Sequence, residues 1–438
     1  MHPSRRAVLI VAAATALAVV PVLIAPALWA LWLASWAALV LGLVADLFFT
    51  AHPSALELRV ATPDVLYVGH AAALEVRLRW THGWQPAVHA WVRPDLSPTL
   101  VAAERQRAEI RRGERQTVLH FDLRARRRGE AHIERVWLSW RGPLGLLQRT
   151  LAVVVDRRVE AVPNISAVRQ LALKFAAREH TSGLRIERYL GDGTEFDSLR
   201  DFMPGLDRRS IDWKASARHT HLLARHFRAE RNRQVIVALD TGHLMAEPLG
   251  GVPRVDHAIH AALLLAFVSV RSGDRVGLYA FDEKPGTFTE PRAGMGAFRN
   301  MLAVSGGLAY SDAETNFTLG LTSLLQRLNR RSLVVVMTDF VDATTAELMV
   351  ENLQRLAARH LVVFVSLRDP LLGRVAAAPP TDLVALQRSV VADTAVRERE
   401  MVLSRLRRRG VLCLDSDPTH VDTHLLNQYL EIKRRELV

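Results

Sequence analysis

The sequence predicts a mixed α/β protein in which a membrane-spanning helical hairpin precedes two folded modules. Three observations predict it: an uncharged apolar run near the N-terminus, period-two alternation in the middle, and apolar β-branched runs that alternate with helical patterns towards the C-terminus. The predicted domains are a transmembrane hairpin over 1–50, a β-sandwich-like module over 54–163, a polar segment over 164–230 and an α/β domain over 231–438.

The N-terminal apolar run predicts two membrane helices. The 39 residues of Ala7–Ala45 carry no charge and would extend about 58 Å as a helix, whereas one crossing needs about 20 residues. Helices over about 7–24 and 28–49 therefore fit the run. Pro21 and Pro26 fall where the turn between them is expected.

The charges that flank this run predict its orientation. Arg5 and Arg6 precede the first helix and stay in the cytoplasm under the positive-inside rule. We therefore expect a multi-pass protein of a bacterial inner membrane with its soluble domains in the cytoplasm. Two alternatives remain: a cleaved signal peptide, for which Ala25-Pro26-Ala27 is a weak cleavage site, and one long tilted helix that would place those domains outside.

Charge and cysteine content restrict the classes of partner and compartment. The formal net charge is +12, and beside a membrane anchor this predicts contact with anionic membrane lipid. No specific nucleic-acid partner is predicted. Cys413 is the single cysteine, so an intrachain disulfide is excluded, which fits a reducing compartment.

The middle of the chain predicts an antiparallel β-sandwich. Apolar and polar residues alternate in Leu56–Val60, Leu74–Trp80, Val118–Leu123 and Val136–Trp140, and turn residues separate these runs. This module shows no clustered histidines, cysteines or carboxylates, so we interpret it as a scaffold or interaction module.

Acids and arginines alternate densely between 181 and 230, with isolated aromatic residues among them. A solvated, salt-bridged surface would show such a pattern. The aromatics Phe196, Phe202 and Trp213 are of a type usually buried, and they favour an ordered network in which arginines meet carboxylates bidentately.

The run from Gly193 to Arg218 resembles the hallmark of the domain of unknown function 58 family, and the plan of that family covers essentially the whole chain. The resemblance implies a partner of a MoxR-type AAA ATPase that acts in assembly or maturation of other proteins. Phe202 stands where the family more often has a tyrosine. The matching positions are Gly193, Glu195, Phe196, Leu199, Arg200, Gly205, Arg209, Ile211, Asp212, Trp213, Lys214, Ala215, Ser216, Ala217 and Arg218.

The C-terminal part predicts a mostly parallel sheet covered by helices. Continuous apolar strands between helical patterns are typical of sheets buried on both faces. Ligands of such sheets bind beyond the C-terminal ends of the strands, where Asp240 and Asp339 fall. The predicted strands are 234–240, 275–281, 333–339, 361–366 and 411–415, and the predicted helices are 253–271 and 396–409.

This domain resembles the von Willebrand factor A domain, whose metal site uses a D-x-S-x-S motif, a threonine and a further aspartate. Asp240, Thr315 and Asp339 match the first acid, the loop threonine and the third position. Gly242 and Leu244 replace the two serines, and Leu244 is expected to intrude on the site. We therefore expect no cofactor, with weak Mg²⁺ binding as the alternative.

The sequence as a whole predicts a binding protein rather than an enzyme: a membrane-tethered adaptor that presents its α/β face to an ATPase or a client protein. One alternative is a metal-assisted hydrolase that uses Asp240, Asp339 and the segment 192–218. The other is a purely structural envelope protein.

Overall fold

The computed structural model describes most of the chain as two compact units, Met1–Val162 and Pro163–Val438. Several sheets and many helices make it a mixed α/β structure. The described residues are 1–17, 29–81, 87–111, 116–166, 168–170, 190–203, 210–219, 221–228, 233–341, 343–344 and 346–435.

The first unit contains two helices followed by short strands. Its elements are β1 (His2–Pro3), α1 (Arg5–Leu17), α2 (Trp29–Phe49), β2 (Leu56–Ala61), β3 (Val65–Tyr67), β4 (Ala71–Trp80), β5 (Ala87–Leu96), β6 (Leu100–Val101), β7 (Gln106–Arg111), β8 (Thr117–Ala125), β9 (Gly129–Arg141) and β10 (Leu147–Val162).

These strands form two sheets in which alternate side chains are buried. The first sheet has the order β1-β10-β9-β5-β7, with β3 beside β10, and the second has the order β2-β4-β8-β6. All pairings are antiparallel except that of β3 with β10. In β4 the residues Leu74, Val76, Leu78 and Trp80 are buried, as the period-two pattern of the sequence predicts.

Helix α2 belongs to the one apolar stretch of the described residues that is long enough to cross a membrane, Trp32–Ala55. Only 11% of its most apolar window is buried, and Leu41 and Phe48 are 72% and 78% exposed. An apolar helix inside a soluble core would be mostly buried, so membrane association is suggested. The predicted turn at Pro21 and Pro26 lies outside the described residues.

Helices α1 and α2 run antiparallel over their described lengths. The backbone N–H of Ser4, just before α1, donates to the Leu146 carbonyl at 2.8 Å, and its hydroxyl donates to the Gly145 carbonyl at 2.6 Å. Further along α1, the Ala14 carbonyl accepts from the Trp32 indole of α2 at 2.9 Å.

The C-terminal end of α2 is tied to the turn between β9 and β10 by one buried carboxylate. Asp46 has no exposed surface and accepts from the backbone N–H groups of Leu144, Leu146 and Leu147 at 2.8, 2.9 and 2.7 Å. A Cβ on Gly142 would lie 2.2 Å from the Asp46 Oδ1, so only glycine fits there. The anchor and the β module therefore share one hydrogen-bonded junction.

The second unit begins with a small two-stranded sheet and continues as an α/β domain. Its elements are β11 (Leu190–Asp201), α3 (Trp213–Ser216), β12 (Leu223–Arg228), β13 (Gln234–Asp240), α4 (His243–Ala246), β14 (Pro248–Leu249), β15 (Val252–Pro253), α5 (Arg254–Arg271), β16 (Arg275–Phe281), β17 (Pro285–Arg292), α6 (Met295–Gly306), α7 (Phe317–Arg327), β18 (Leu333–Met337), α8 (Ala346–Ala357), β19 (Leu361–Leu367), α9 (Pro370–Ala377), α10 (Leu383–Arg408), β20 (Leu412–Ser416) and α11 (Val421–Arg434).

The large sheet of this unit has the order β17-β16-β13-β18-β19-β20. Its pairings are parallel except at the edge strand β17, which is antiparallel to β16. One face packs on α5, α6 and α11, and the other on α7, α8 and α10. Burial on both faces explains why these strands read as continuous apolar runs. The helix predicted at 396–409 is longer than expected and begins at Leu383.

Asp46→Ala should loosen the junction between α2 and the β9–β10 turn. Three backbone N–H groups would lose the buried, charged acceptor that they share, a loss of about 3 kcal/mol in the stability of the first unit. The turn 142–147 of the full-length protein in detergent should then be cleaved much faster in limited proteolysis. Gly142→Ala should act in the same direction, because its methyl group would collide with the Asp46 carboxylate.

Asp122→Ala is the matched control, because Asp122 is an exposed acid of β8 in the same unit. Equal cleavage of the wild type and the Asp46 variant would show that this carboxylate does not hold the junction.

Candidate functional site

The parallel strands of the second unit bring three carboxylates to one edge of the sheet. Asp240 ends β13, Asp339 follows β18, and Asp415 lies near the end of β20. C-terminal strand ends of a parallel sheet share one edge. Two arginines reach the same edge, Arg254 from the start of α5 and Arg399 from the middle of α10.

Asp240 is buried and satisfied by hydrogen bonds. It accepts from the Thr338 hydroxyl at 2.5 Å, the Thr315 hydroxyl at 2.7 Å and the Gly242 N–H at 2.8 Å. Burial raises the pKa of this carboxyl above its usual range, although the three hydrogen bonds oppose the shift. Asp240 therefore holds the loops after β13 and β18 together.

Gly242 cannot be replaced by a serine in this arrangement. A Cβ at this position would lie 2.1 Å from the Thr315 Oγ1 and 3.2 Å from the Asp240 Oδ1. The space in which a serine would offer its oxygen is thus occupied by the Thr315 hydroxyl, which is bonded to Asp240 instead.

Asp339 is paired with two arginines. Its carboxylate lies 3.1 Å from Arg254 Nε and 2.8 Å from Arg399 Nη1, and the second Nη of Arg399 lies 2.9 Å from Asp415. Burial alone would lower the pKa of Arg399, but Asp339 and Asp415 outweigh it and raise that pKa. The Phe340 ring lies 5.2 Å from the Arg399 guanidinium carbon, so Arg399 is fixed on several sides.

The three predicted metal ligands are thus at one edge, where each of them is engaged by another group of the protein. Mg²⁺ requires an octahedral shell of oxygens. Here Thr315 and Asp240 are bonded to each other, and Asp339 faces guanidinium groups. Within the part of the chain that the structure describes, no cluster of three His, Cys, Asp or Glu could hold a metal. Weak Mg²⁺ binding stays a prediction.

A cavity of about 1030 Å³ opens beside the paired carboxylates. Leu244 lines it, together with the ion-paired groups Arg254, Asp339, Arg399 and Asp415. Its outer wall is apolar and comes from α9 and α10, through residues such as Leu372, Ala377 and Val396.

Helices α9 and α10 expose apolar side chains well beyond this cavity. The exposed fractions of Leu371, Leu383 and Val391 are 57%, 71% and 70%. A groove of about 360 Å³ lies between the two helices and is lined by Leu371, Leu372, Val375 and Val391 among others. We call this surface the α9–α10 apolar surface.

The family-signature residues lie on the small sheet and on α3. Gly193, Glu195, Phe196, Leu199 and Arg200 belong to β11, which pairs with β12 through an irregular register. Gly205 and Arg209 lie outside the described residues.

The α3 part of the signature forms a small, well-bonded corner. Asp212 caps α3 by accepting from the Ala215 N–H at 3.0 Å, and Ile211 is buried. The Ser216 hydroxyl accepts from the Leu223 N–H at 2.9 Å.

Four signature residues of this corner face solvent. Lys214 and Arg218 are exposed, and Trp213 is 68% exposed. The expectation that Trp213 is a buried aromatic of a polar network is therefore wrong. Ala217 is exposed as well.

A family model described as "Protein of unknown function DUF58" matches residues 198–418. This chain belongs to the DUF58 family. An uncharacterized protein of Mycobacterium bovis and one of Mycobacterium tuberculosis are each 25% identical to it over 182 residues, which is 41% of this chain. The chain spans 56% of the length of these relatives.

Two solved structures are similar to part of this DUF58 protein. One is the conserved hypothetical protein BatB of Bacteroides thetaiotaomicron, with a TM-score of 0.32, and the other is an aerotolerance-related membrane protein of Bacteroides fragilis, with a TM-score of 0.30. Each is 15% identical and covers 46% of this chain and 99% of its own.

Sequence reasoning missed four residues of the DUF58 site: Arg254, Thr338, Arg399 and Asp415. Asp415 ends a predicted strand, and the rule that located Asp240 and Asp339 would also have found it. Thr338 precedes Asp339 directly. Nothing local distinguishes Arg399 from the other arginines of α10.

Asp240→Asn should stabilise this DUF58 protein at neutral pH, and Asp240→Ala should destabilise it. Asparagine keeps an acceptor for Gly242 and Thr315 and can donate to Thr338, without a buried charge. The pKa of Asp240 is higher in the folded than in the unfolded protein. Protonation of Asp240 therefore stabilises the fold fully below the unfolded pKa near 3.8, and this stabilisation is lost as pH rises through the folded pKa. At neutral pH the melting temperature should be highest for Asp240→Asn, intermediate for the wild type and lowest for Asp240→Ala.

The gap between the wild type and Asp240→Asn should narrow as pH falls, because the wild-type carboxyl takes up its proton. Glu290→Gln, which changes an exposed acid of the edge strand β17, controls for net charge. If millimolar Mg²⁺ raised the melting temperature of the wild type but not of Asp240→Asn, these residues would bind metal after all.

Proposed function

We propose that this protein is a membrane-anchored adaptor that binds other proteins and works with a MoxR-type AAA ATPase in their assembly or maturation. One observation carries the proposal: the strand-end carboxylates are already neutralised within the chain, and a large cavity and the α9–α10 apolar surface lie beside them. The ATPase and the assembly role rest on the family resemblance of the sequence.

The side chains at the C-terminal edge of the large sheet, and other reactive groups of this unit, support a binding protein rather than an enzyme. Asp339 and Asp415 are held by Arg399, so neither is free to act as a base. Ser216 is bonded to the Leu223 backbone. Burial raises the pKa of the Cys413 thiol to about 11, which leaves it protonated and unreactive at neutral pH.

The α9–α10 apolar surface supports a protein partner. Contiguous exposed apolar residues on a soluble face are typical of interaction sites, and an amphipathic helix of the partner would fit the groove between α9 and α10. Acids lie along the adjoining cavity wall: Glu247, Glu400 and Asp417. Hydrogen bonds from Thr419 and His420 lower the pKa of Asp417 to about 2, so this carboxylate is ionised at neutral pH.

We also infer that the α/β unit is a von Willebrand factor A-like domain. The support is the convergence of Asp240, Thr315 and Asp339 at the C-terminal edge of a parallel sheet. Arg254 and Arg399 then supply the positive charge that an ion supplies in that family.

The N-terminal region supports a two-helix membrane hairpin with the soluble domains in the cytoplasm. The start of α1 and the end of α2 both bind the turn 142–147. This common attachment is expected when the chain crosses the membrane twice and returns to the same side. Since Ser4 and Asp46 are bonded into the β module, a cleaved leader is disfavoured.

A reporter fused after Val438 should lie in the cytoplasm. Two crossings return the chain to the side of Arg5 and Arg6. A fluorescent-protein fusion should therefore be bright and an alkaline-phosphatase fusion inactive. Insertion of the same reporters in the segment 18–28 should give the opposite pattern, and phosphatase activity at the C-terminus would refute the hairpin.

Val391→Asp and Leu383→Asp should each reduce recovery of the MoxR-type ATPase by about tenfold, because a charge on an apolar hot spot is strongly unfavourable in a buried interface. The measurement is co-purification of the tagged full-length protein from host membranes, with the ATPase quantified by mass spectrometry. Folding should be unchanged, because both side chains are about 70% exposed.

Leu430→Asp provides the matched control. Leu430 is also exposed, but it lies on α11, which packs on the other face of the sheet. Equal recovery of the ATPase with all variants would exclude the α9–α10 apolar surface as its binding site. If no ATPase were recovered with the wild type, a MoxR-type ATPase would be excluded as the partner.

A further inference from the structure

The first unit carries a pocket of positive charge on the outer face of its larger sheet. The pocket has a volume of about 560 Å³. Arg6, His89, Arg107 and Arg141 line it, and the Trp91 ring, 40% exposed, forms part of its wall. No carboxylate lines it.

The strand register explains why these side chains meet. Trp91 of β5 is paired with Arg107 of β7 on one side and with Ser139 of β9 on the other. Residues two apart on a strand share a face. His89 therefore points the same way as Trp91, and Arg141 the same way as Ser139.

The arginines of this pocket form no direct ion pair in the part of the chain that the structure describes. There, no carboxylate lies within ion-pair distance of Arg6, Arg107 or Arg141. Glu109, the cross-strand partner of His89, forms its ion pair with Arg111 instead, at 2.9 Å. Three guanidinium groups therefore converge on one concavity, and the nearby acid Glu109 is already paired with another arginine.

The pocket adjoins the end of the candidate membrane helix. The turn residues Gly142, Pro143, Leu144 and Gly145 form one of its walls, and Asp46 near the end of α2 holds that turn. With α2 in a membrane, the pocket lies in the headgroup layer, which extends about 5–8 Å beyond the hydrocarbon on each side. Tryptophan is enriched at that depth.

We propose that this pocket binds the phosphate group of an anionic phospholipid of the leaflet next to the β module. Guanidinium forks match phosphate oxygens bidentately, and the apolar tail would lie along the exposed surface of α2. The bound lipid would fix the β module against the membrane surface. This inference requires α2 to lie in the membrane but does not depend on the adaptor role.

The test compares lipid retention by the full-length protein in detergent, using native mass spectrometry. The wild type should bind one phosphatidylglycerol about tenfold more tightly than phosphatidylcholine, because the choline cation of phosphatidylcholine would be repelled by the guanidinium groups that pair with the phosphate. Arg107→Gln/Arg141→Gln should lose that preference. Trp91 fluorescence should respond to phosphatidylglycerol in the wild type, relative to Trp91→Phe.

Arg124→Gln/Arg126→Gln is the matched control. It removes the same charge from exposed positions of the same unit. Arg124 also lies far from the candidate membrane span. Its partner in β4 is Ala71, which is about 30 Å along the strand from Trp80. Trp80 pairs with Leu56, the residue that follows the span. Loss of the preference in this control would show that net charge alone matters.

Inorganic phosphate and glycerol phosphate separate the sources of the anion. If either displaced phosphatidylglycerol at similar concentration, the pocket would be a site for a soluble phosphate and the lipid proposal would be wrong. Equal retention of both lipids by the wild type would also overturn it.

Discussion

The structure depends on how it compensates carboxylates that its packing buries. An ionised carboxylate in an apolar interior is unfavourable unless hydrogen bonds or an opposite charge satisfy it. The protein uses backbone N–H groups at Asp46, hydroxyls and one N–H at Asp240, and guanidinium groups at Asp339. Each solution joins segments that are distant in sequence. Asp46 joins the apolar helix α2 to a β-turn about a hundred residues later, and Asp339 joins the end of β18 to α5 and α10.

The same compensation determines the chemistry of the sheet edge. Asp339 faces a fixed guanidinium group, which weakens its attraction for a cation. Asp240 has a raised pKa, and a carboxyl group that keeps its proton is a poor metal ligand. The edge therefore resembles a metal site whose charge has been supplied by arginine. The cavity beside this edge therefore combines ion-paired polar groups with an apolar wall.

The sequence predicted the elements that depend on local pattern and missed the contacts that depend on distant partners. The strands at 234–240 and 275–281 were predicted to the residue, because sheets buried on both faces leave continuous apolar runs. Asp240 and Asp339 were found by the strand-end rule. The role of Arg399 could not be found, since its two partners come from other strands. Trp213 was expected to be buried, but α3 is a single short turn that leaves the ring in solvent.

The α9–α10 apolar surface lies on an excursion between β19 and β20, which are neighbours in the sheet. The two strands align directly from Val363 with Leu412 to Leu367 with Ser416, and this alignment does not require the outer part of the excursion. Mutations in the outer turns of these helices would therefore leave the sheet intact. The sequence of the outer turns could therefore vary, or be exchanged by an engineer over 370–391, as long as Arg399 and the buried residues Val402, Leu403 and Leu406 are kept.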